Sequence, residues 1–118
     1  MTETTITAQQ VAEGYARAWT SRDIDTAMSY IADDIVCEAP AGTIEGKAAY
    51  REFTETFVTR LLVTGRVTAV LSGDNSASVL YTNDTKVLSG MRAIDYATIE
   101  NGKITHLITV FDRLPFGR

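Results

Sequence analysis

Cysteine and histidine are almost missing from this sequence, and their scarcity excludes several kinds of site. Cys37 is the single cysteine and His106 the single histidine in 118 residues. One cysteine permits no intrachain disulfide, and one residue of each type cannot assemble a zinc site of the usual Cys/His kind. A phosphate-binding glycine loop, a dinucleotide fingerprint and a nucleophile elbow are also missing. The sequence therefore predicts a reduced chain without a metal or a cofactor.

Basic residues are too few for a nucleic-acid partner. The 11 Lys and Arg residues are outnumbered by 15 Asp and Glu residues, which gives a formal net charge of -4. A face that binds nucleic acid needs clustered basic side chains to neutralise phosphates. No apolar run approaches the roughly 20 residues that span a bilayer, and the polar start MTETTITAQQ is unlike a signal peptide. We expect a cytoplasmic protein that binds neither nucleic acid nor membrane.

The rest of the composition is typical of one globular domain. Hydrophobic residues make up 45% of the chain and charged residues 22%. This length supports one core and is too short for two ordinary domains. We therefore predict a single domain over residues 1–118.

Apolar residues first recur at helical spacing. Thr7 and Gln10 fit a capping box, and the buried stripe of a first helix then follows at Val11, Tyr15, Ala18 and Trp19. Asp23 predicts the cap of a second helix that reaches Ile31 and is closed by ADD. A short strand, IVCEA, and a loop, PAGTIEG, precede a third helix, whose aromatic face is Tyr50, Phe53 and Phe57.

The second half of the chain reads as strands. LLVTGRVTAVLSG, SASVLYTN, TKVLSGMRAIDYATIE and KITHLITVFDRL are rich in β-branched residues, and the short connections between them favour antiparallel pairing. Gly65 and Gly90 lie inside these patterns, where a glycine commonly marks a bulge or a bend. The sequence predicts an α+β domain in which three N-terminal helices pack on a curved antiparallel sheet and leave a pocket between the layers.

The order of these parts resembles the NTF2-like superfamily, in particular its SnoaL-like and ketosteroid-isomerase-like branch. The strings that carry the resemblance are YARAWTSRDIDTAMSYIADDIVCEAPAG, IEGKAAYREF, AIDYATIENGKI and VFDRLPF, and they cover nearly the whole chain. The resemblance implies a cone-shaped fold and a homodimer through the outer sheet face. The branch contains isomerases, cyclases and epoxide-opening enzymes, and fold likeness alone does not select among them.

Ketosteroid isomerases hold an oxyanion with a tyrosine on the first helix and a protonated aspartate on a late strand, and a second aspartate is the base. Tyr15 in YARAWTSRD matches that tyrosine, and Asp95 in AIDYA matches the oxyanion-hole acid. The base belongs just before the proline of CEAPAG, where this chain has Ala39. The resemblance therefore implies catalytic roles for Tyr15 and Asp95 and leaves the base open.

The residues themselves leave two positions open for Asp95. On the inner face of a pocket, burial disfavours the charged form, so we expect a raised pKa and a neutral carboxyl that donates a hydrogen bond. On the outer face, Asp95 would be solvated or paired with Arg92. The same alternation applies to Glu38, the replacement base, which points outward if Ala39 points inward unless a bulge near Pro40 reverses the pattern.

The remaining expectations concern the pocket and the activity. We expect a flat, largely apolar ligand with a carbonyl or phenolic oxygen, held by Trp19, Ala39, Phe53, Phe57, Met91 and Phe111. His106 is expected on the outer face or at a subunit interface, and Cys37 in the core. We expect a cofactor-free isomerase or cyclase that stabilises an enolate-like oxygen. The alternatives are a non-catalytic binder that lost its base, an epoxide-hydrolase-like enzyme and an interaction scaffold.

Overall fold

A computed structural model describes residues 6–112 of the chain. The described residues form three helices and six strands. Two helices come first, two strands and a third helix follow, and four strands come last. The elements are α1 (Ala8–Thr20), α2 (Ile24–Met28), β1 (Ile31–Ala39), β2 (Gly42–Glu45), α3 (Lys47–Arg60), β3 (Leu62–Ser72), β4 (Ser76–Thr85), β5 (Met91–Glu100) and β6 (Lys103–Val110).

All six strands form one sheet in the order β2-β1-β6-β5-β4-β3. Four of its five neighbouring pairs are antiparallel, and β1 with β6 is parallel. The expectation of a purely antiparallel sheet is therefore wrong at this one pair. Short turns dictate antiparallel neighbours, but β1 and β6 are joined through the whole intervening chain, so that rule does not apply to them.

The capping box that begins α1 is confirmed. The backbone N–H of Gln10 donates to the Thr7 hydroxyl over 3.1 Å, and the Gln10 side-chain oxygen accepts from the Thr7 N–H over 2.8 Å. The helix ends before Arg22, which has a positive φ of 72°. The Arg22 guanidinium donates to the carbonyl oxygens of Val58 and Leu62, and this ties the end of α1 to the junction between α3 and β3.

Two boundaries in the first half differ from the sequence prediction. The second helix ends at Met28, and Ile31 with the following ADD belongs to β1. Backbone pairing outweighs the helical spacing here, because Ile31 lies opposite Ile104 of β6 and the Ile104 N–H donates to Tyr30. The segment PAGTIEG, predicted as a loop, contains β2, which pairs with the end of β1.

The predicted strand from Thr85 to Glu100 is interrupted by a turn over residues 86–90. Gly90 has a φ of 72° and precedes β5, so it marks this turn rather than a bend inside a strand. Asp84 stabilises the turn by accepting hydrogen bonds from the Gly90 N–H at 2.7 Å and the Ser89 hydroxyl at 3.0 Å. Gly65 does lie inside β3, between two register shifts in its pairing with β4. The predicted end of the last strand, Arg113 and Leu114, lies outside the described residues.

Strand β5 alternates cleanly between buried and exposed residues, and this alternation positions the site. Its inner residues pack toward the helices and are Met91, Ala93, Asp95, Ala97 and Ile99, while Arg92, Ile94 and Tyr96 face outward. A carboxylate therefore lies on the buried face. None of the helices between residues 6 and 112 combines the length and apolar character needed to cross a bilayer.

Candidate functional site

A cavity of about 790 Å³ lies between the sheet and helices α1 and α3. Its size falls within the range common for small-molecule sites. Of the six residues predicted to line a pocket, the structure brings five to this cavity, namely Trp19, Phe53, Phe57, Met91 and Phe111. Tyr15 and Asp95 also line it, so the two polar residues singled out from the sequence meet in one space.

Asp95 is the buried acid of this cavity. Its residue is 4% exposed, and its Oδ1 accepts a hydrogen bond from the Tyr81 hydroxyl over 3.0 Å. Burial raises the pKa of Asp95 to about 6, and hydrogen bonding by Thr109 and Tyr81 limits that rise. These hydroxyls favour the ionised carboxylate, because they donate to it. Asp95 is thus a group that can gain or lose a proton close to neutral pH.

Tyr15 of α1 and Tyr50 of α3 form a pair of buried phenols. Their hydroxyls share a hydrogen bond, and their ring centroids are 6.4 Å apart. Burial raises the pKa of Tyr15 well above 10.0 and also raises that of Tyr50. Both phenols therefore stay protonated. Their mutual bond uses one of the two hydroxyl hydrogens, and the other is available to a ligand oxygen.

The wall beside these groups is aromatic. The Trp19 ring meets Tyr81 edge to face at 5.1 Å between centroids and meets Phe57 at 6.2 Å. Such contacts hold rings in fixed orientations and present apolar area to a ligand. Tyr81 therefore has two roles, since its ring supports the wall and its hydroxyl reaches Asp95.

Glu38 does not reach the cavity. Its side chain is 53% exposed on the outer face of the sheet, where its Oε2 lies 2.8 Å from Nε2 of His106. The expected position of Glu38 at the cavity is therefore wrong, since strand alternation turns its side chain away from the helices. His106 lies on the outer face, as expected.

Ala39 is partly buried against the core but is not among the described residues that line the cavity. Its predicted pocket position is therefore also wrong. The chain turns directly after Ala39, which pairs with Gly42 across the β1–β2 hairpin. Ala41, Thr43 and Glu45 come from that turn and from β2, and they occupy this side of the cavity instead.

Other charged and reactive groups contribute little inside the cavity. Asp95 is the one buried acid among residues 6–112, and Glu45 and Glu52 are exposed where they line the cavity. Arg92 lies on the opposite face of β5 and does not pair with Asp95. Burial raises the pKa of Cys37 to about 12, so its thiol stays protonated. No group of three metal-ligating side chains occurs in residues 6–112.

Sequence reasoning did not identify the roles of Tyr81 and Tyr50. Tyr50 was expected only as part of an aromatic helix face, although it shares its hydroxyl with Tyr15. Tyr81 lies in SASVLYTN, where alternation with Val79 and Asn83 is a signal of its inward direction. The pairing of Tyr81 with Asp95 depends on the register of β4 against β5, which places Val79 opposite Asp95.

Comparison with protein families matches residues 12–107 to the SnoaL-like domain. The matched segment contains Tyr15, Tyr50, Tyr81 and Asp95, and therefore every polar group described for the cavity except Thr109. No curated protein matches this chain.

Solved structures with the same architecture include a protein from Kribbella flavida DSM 17836. It is 40% identical, has a TM-score of 0.89, and the match covers 95% of this chain and 92% of that one. A second K. flavida protein, named as a candidate ketosteroid isomerase, is 18% identical with a TM-score of 0.79 over 89% and 77% of the two chains. A Sinorhizobium meliloti protein named as a candidate polyketide cyclase is 18% identical with a TM-score of 0.77 over 85% and 93%. The last two likenesses show the fold alone.

Proposed function

The chain belongs to the SnoaL-like family and has an NTF2-like α+β fold, and on this premise we propose that it binds a small apolar molecule with a carbonyl or phenolic oxygen. We further propose that it acts on this molecule as a cofactor-free isomerase or cyclase. The observation that carries the proposal is Asp95, a buried carboxylate in an aromatic cavity whose pKa is raised to about 6. Perturbed acids in such cavities are characteristic of catalytic sites.

The Tyr15 and Tyr50 pair holds the ligand oxygen. Both phenols are neutral donors, and Tyr50 fixes the Tyr15 hydroxyl through their shared hydrogen bond. A donor that is already oriented stabilises negative charge as it develops on an enolate oxygen. Desolvation strengthens this interaction, because the surrounding aromatic wall has a low dielectric constant compared with water.

Asp95 exchanges the proton. The carboxylate removes a proton from the carbon beside the substrate carbonyl, and the C–H electrons form the enolate double bond while negative charge moves to the oxygen. An isomerase returns the proton to another carbon. In a cyclase the enolate carbon attacks a second carbonyl, whose π electrons move to its oxygen, and that oxygen takes the proton from Asp95. This role differs from the donor role expected from the sequence, because Tyr81 donates to Asp95 and favours its ionised form.

A non-catalytic binder is the second candidate. The specific observation in its favour is Ala39 at the position where the related isomerases have a base, together with the outward direction of Glu38. An epoxide-hydrolase-like activity that uses Arg92 with Asp95 receives less support, since the two side chains lie on opposite faces of β5.

We also propose a homodimer through the outer face of the sheet. Ile94, Tyr96 and Val110 are neighbours on β5 and β6 and are 44%, 44% and 58% exposed. Clustered apolar side chains on a sheet face commonly mark a protein interface. A second copy of the chain offers the same apolar surface, as a two-fold interface requires.

The test combines a binding probe and a reaction probe. 2-Naphthol mimics an enol, and 2-tetralone is a flat ketone whose C–H groups beside the carbonyl exchange with D₂O. We expect the wild type to bind 2-naphthol and to accelerate the exchange seen by NMR, and we expect Tyr15→Phe and Asp95→Asn to weaken both. Binding that neither substitution changes would exclude the proposed site, and binding without exchange would favour the non-catalytic binder.

A further inference from the structure

Two buried polar atoms on residues that line the cavity have no hydrogen-bond partner within residues 6–112. They are the indole Nε1 of Trp19 and the side-chain oxygen Oδ1 of Asn83. Both residues line the cavity and are 5% and 1% exposed. Buried polar atoms are almost always paired in native proteins, because an unpaired one loses its hydration without compensation. A donor and an acceptor left unpaired in the same cavity therefore need an explanation.

Asn83 belongs to a different part of the cavity from Asp95. On strands β4 and β5, Asn83 lies opposite Met91, while Asp95 lies opposite Val79. Four residues of extended chain separate the two positions, which corresponds to roughly 13 Å. Tyr81 lies between them, and the Trp19 ring packs against it. A compact ligand bound at Asp95 therefore does not reach Asn83.

The sequence makes room for the Asn83 side chain. Gly65 is its cross-strand partner, and a Cβ at position 65 would lie 2.7 Å from Asn83 Oδ1. Glycine in the middle of a strand is unfavourable, and it commonly marks a close approach of other atoms. A buried apolar side chain at position 83 would fill the same layer without burying an amide. The pair of Gly65 and Asn83 therefore keeps a polar group in an otherwise apolar wall.

We propose that Trp19 and Asn83 form a second polar subsite, which receives a hydroxyl group at the far end of the ligand. The hydroxyl oxygen accepts from the indole N–H, and its hydrogen is donated to Asn83 Oδ1. A carbonyl oxygen would leave the Asn83 acceptor unpaired, and a carboxylate would face it with like partial charge. Asn83 Oδ1 faces Gly65 in the structure, so the amide has to turn toward the ligand about its terminal torsion, which is soft.

This inference rests on the proposed function and specifies its ligand class. The ligand is an elongated apolar molecule with one oxygen near Tyr15 and Asp95 and a hydroxyl near Trp19 and Asn83. Discrimination by such a subsite is strong, because a ligand without the hydroxyl leaves two buried polar atoms unpaired.

The test uses two probes that differ by one hydroxyl, 4-hydroxybiphenyl and 4,4′-dihydroxybiphenyl, whose rigid bodies are the same. We expect the wild type to bind the diol roughly 10-fold more tightly by titration calorimetry, as a gained hydrogen bond implies. The ratio of the two affinities should fall to about 1 in Trp19→Phe and in Asn83→Leu. The matched control is Phe53→Leu, which alters the aromatic wall without removing a polar atom and should keep the wild-type ratio, because Phe53 packs on Tyr50.

Equal affinity of the wild type for both probes would overturn the subsite, as would a preference for the diol that survives both substitutions. Failure of the proposed function looks different. If Tyr15→Phe leaves the binding of both probes unchanged while Trp19→Phe removes the preference, the subsite stands and the Tyr15 site does not. Thermal unfolding of each variant shows whether it is folded. If one of the two variants, Trp19→Phe or Asn83→Leu, is unfolded, the affinity ratio of the other variant decides.

Discussion

The Tyr81 hydroxyl donates a hydrogen bond to Oδ1 of Asp95 across 3.0 Å, and this contact determines how the buried acid behaves. Burial alone drives the carboxyl toward its neutral form, whereas Tyr81 and Thr109 stabilise the ionised form. The two effects leave the pKa of Asp95 at about 6. A group that exchanges protons works best when its pKa lies close to the working pH. The neighbours of Asp95 therefore set its pKa in a catalytically useful range.

Removing the Tyr81 hydroxyl should raise the pKa of Asp95 above 6. In Tyr81→Phe the carboxylate loses a hydrogen-bond donor while its burial remains, so the equilibrium shifts toward the neutral carboxyl. The measurement is an NMR titration of the Asp95 side-chain carboxyl carbon in wild type and variant. Thr109→Val should shift the same pKa in the same direction, because Thr109 also lowers it. A pKa that stays at its wild-type value in both variants would contradict this account.

Asp95 should make the fold less stable as the pH rises from about 4 to about 6. The unfolded carboxyl loses its proton near 3.8, whereas the folded one keeps it until about 6, so the folded state binds more protons in this window. Above pH 6 this effect lowers the free energy of unfolding by at most about 3 kcal/mol. Asp95→Asn retains an acceptor for Tyr81 and has no charge to bury, so we expect it to be more stable than wild type at pH 7.

Urea unfolding of both proteins between pH 4 and pH 7 checks this expectation. The difference in unfolding free energy between Asp95→Asn and wild type should be small at pH 4 and should grow toward pH 6. Other acids, including Asp23 and Asp84 with their lowered pKa values, affect both proteins alike and cancel in the difference. A difference that is constant across the range would mean that Asp95 has an ordinary pKa.

The exchange of 2-tetralone protons should depend on the ionised form of Asp95. We expect the rate to rise as the pH increases through about 6 and then to level off, because the tyrosine hydroxyls stay protonated well past that point. Asp95→Asn should lose ~10²–10⁴-fold in rate, the usual contribution of a positioned base. Glu38→Gln is the matched carboxylate control on the outer face and should leave the rate unchanged. A rate that falls in Glu38→Gln would return the base role to Glu38.

Tyr15 and Tyr50 should contribute unequally to the reaction. Tyr15→Phe removes the proposed donor to the ligand oxygen, and loss of such a donor commonly costs ~10²–10³-fold in rate. Tyr50→Phe removes the partner that orients the Tyr15 hydroxyl and leaves the donor itself, so the loss should be smaller. The measurement is the rate of proton exchange in 2-tetralone with each of the two variants. A larger loss in Tyr50→Phe would show that Tyr50 is the phenol that contacts the ligand.

The helical stripe with Tyr15 could be predicted from the sequence, because it follows from local periodicity. Strand alternation left both faces open for Asp95, and only the family resemblance favoured the pocket. Alternation along one strand or one helix fixes which residues share a face. The partners of these residues could not be predicted in the same way. The contact between Tyr81 and Asp95 depends on the register of two strands, and that between Tyr15 and Tyr50 on the docking of two helices.

Errors arose where pairing or a turn competed with local pattern. Ile31 fits a helical spacing, but its backbone is used in the parallel pair with β6. Ala39 has the inward parity of Cys37, yet the hairpin that follows directly carries other residues to the cavity. The first outcome depends on a distant strand and the second on the geometry of a turn, and the local spacing of apolar residues predicts neither.

Ile94→Glu should prevent the proposed dimer. Ile94 lies opposite Val110 on the outer face, and a carboxylate there would have to be buried without a partner when two sheets meet. We expect sedimentation equilibrium to give a dimer for wild type and a monomer for the variant. Val87→Glu places the same charge on an exposed apolar residue in the turn before β5, away from the sheet face, and should stay dimeric. Binding of 2-naphthol should persist in Ile94→Glu, because this side chain points away from the cavity. A wild type that is monomeric at every concentration would exclude the dimer and leave the outer face free for another partner.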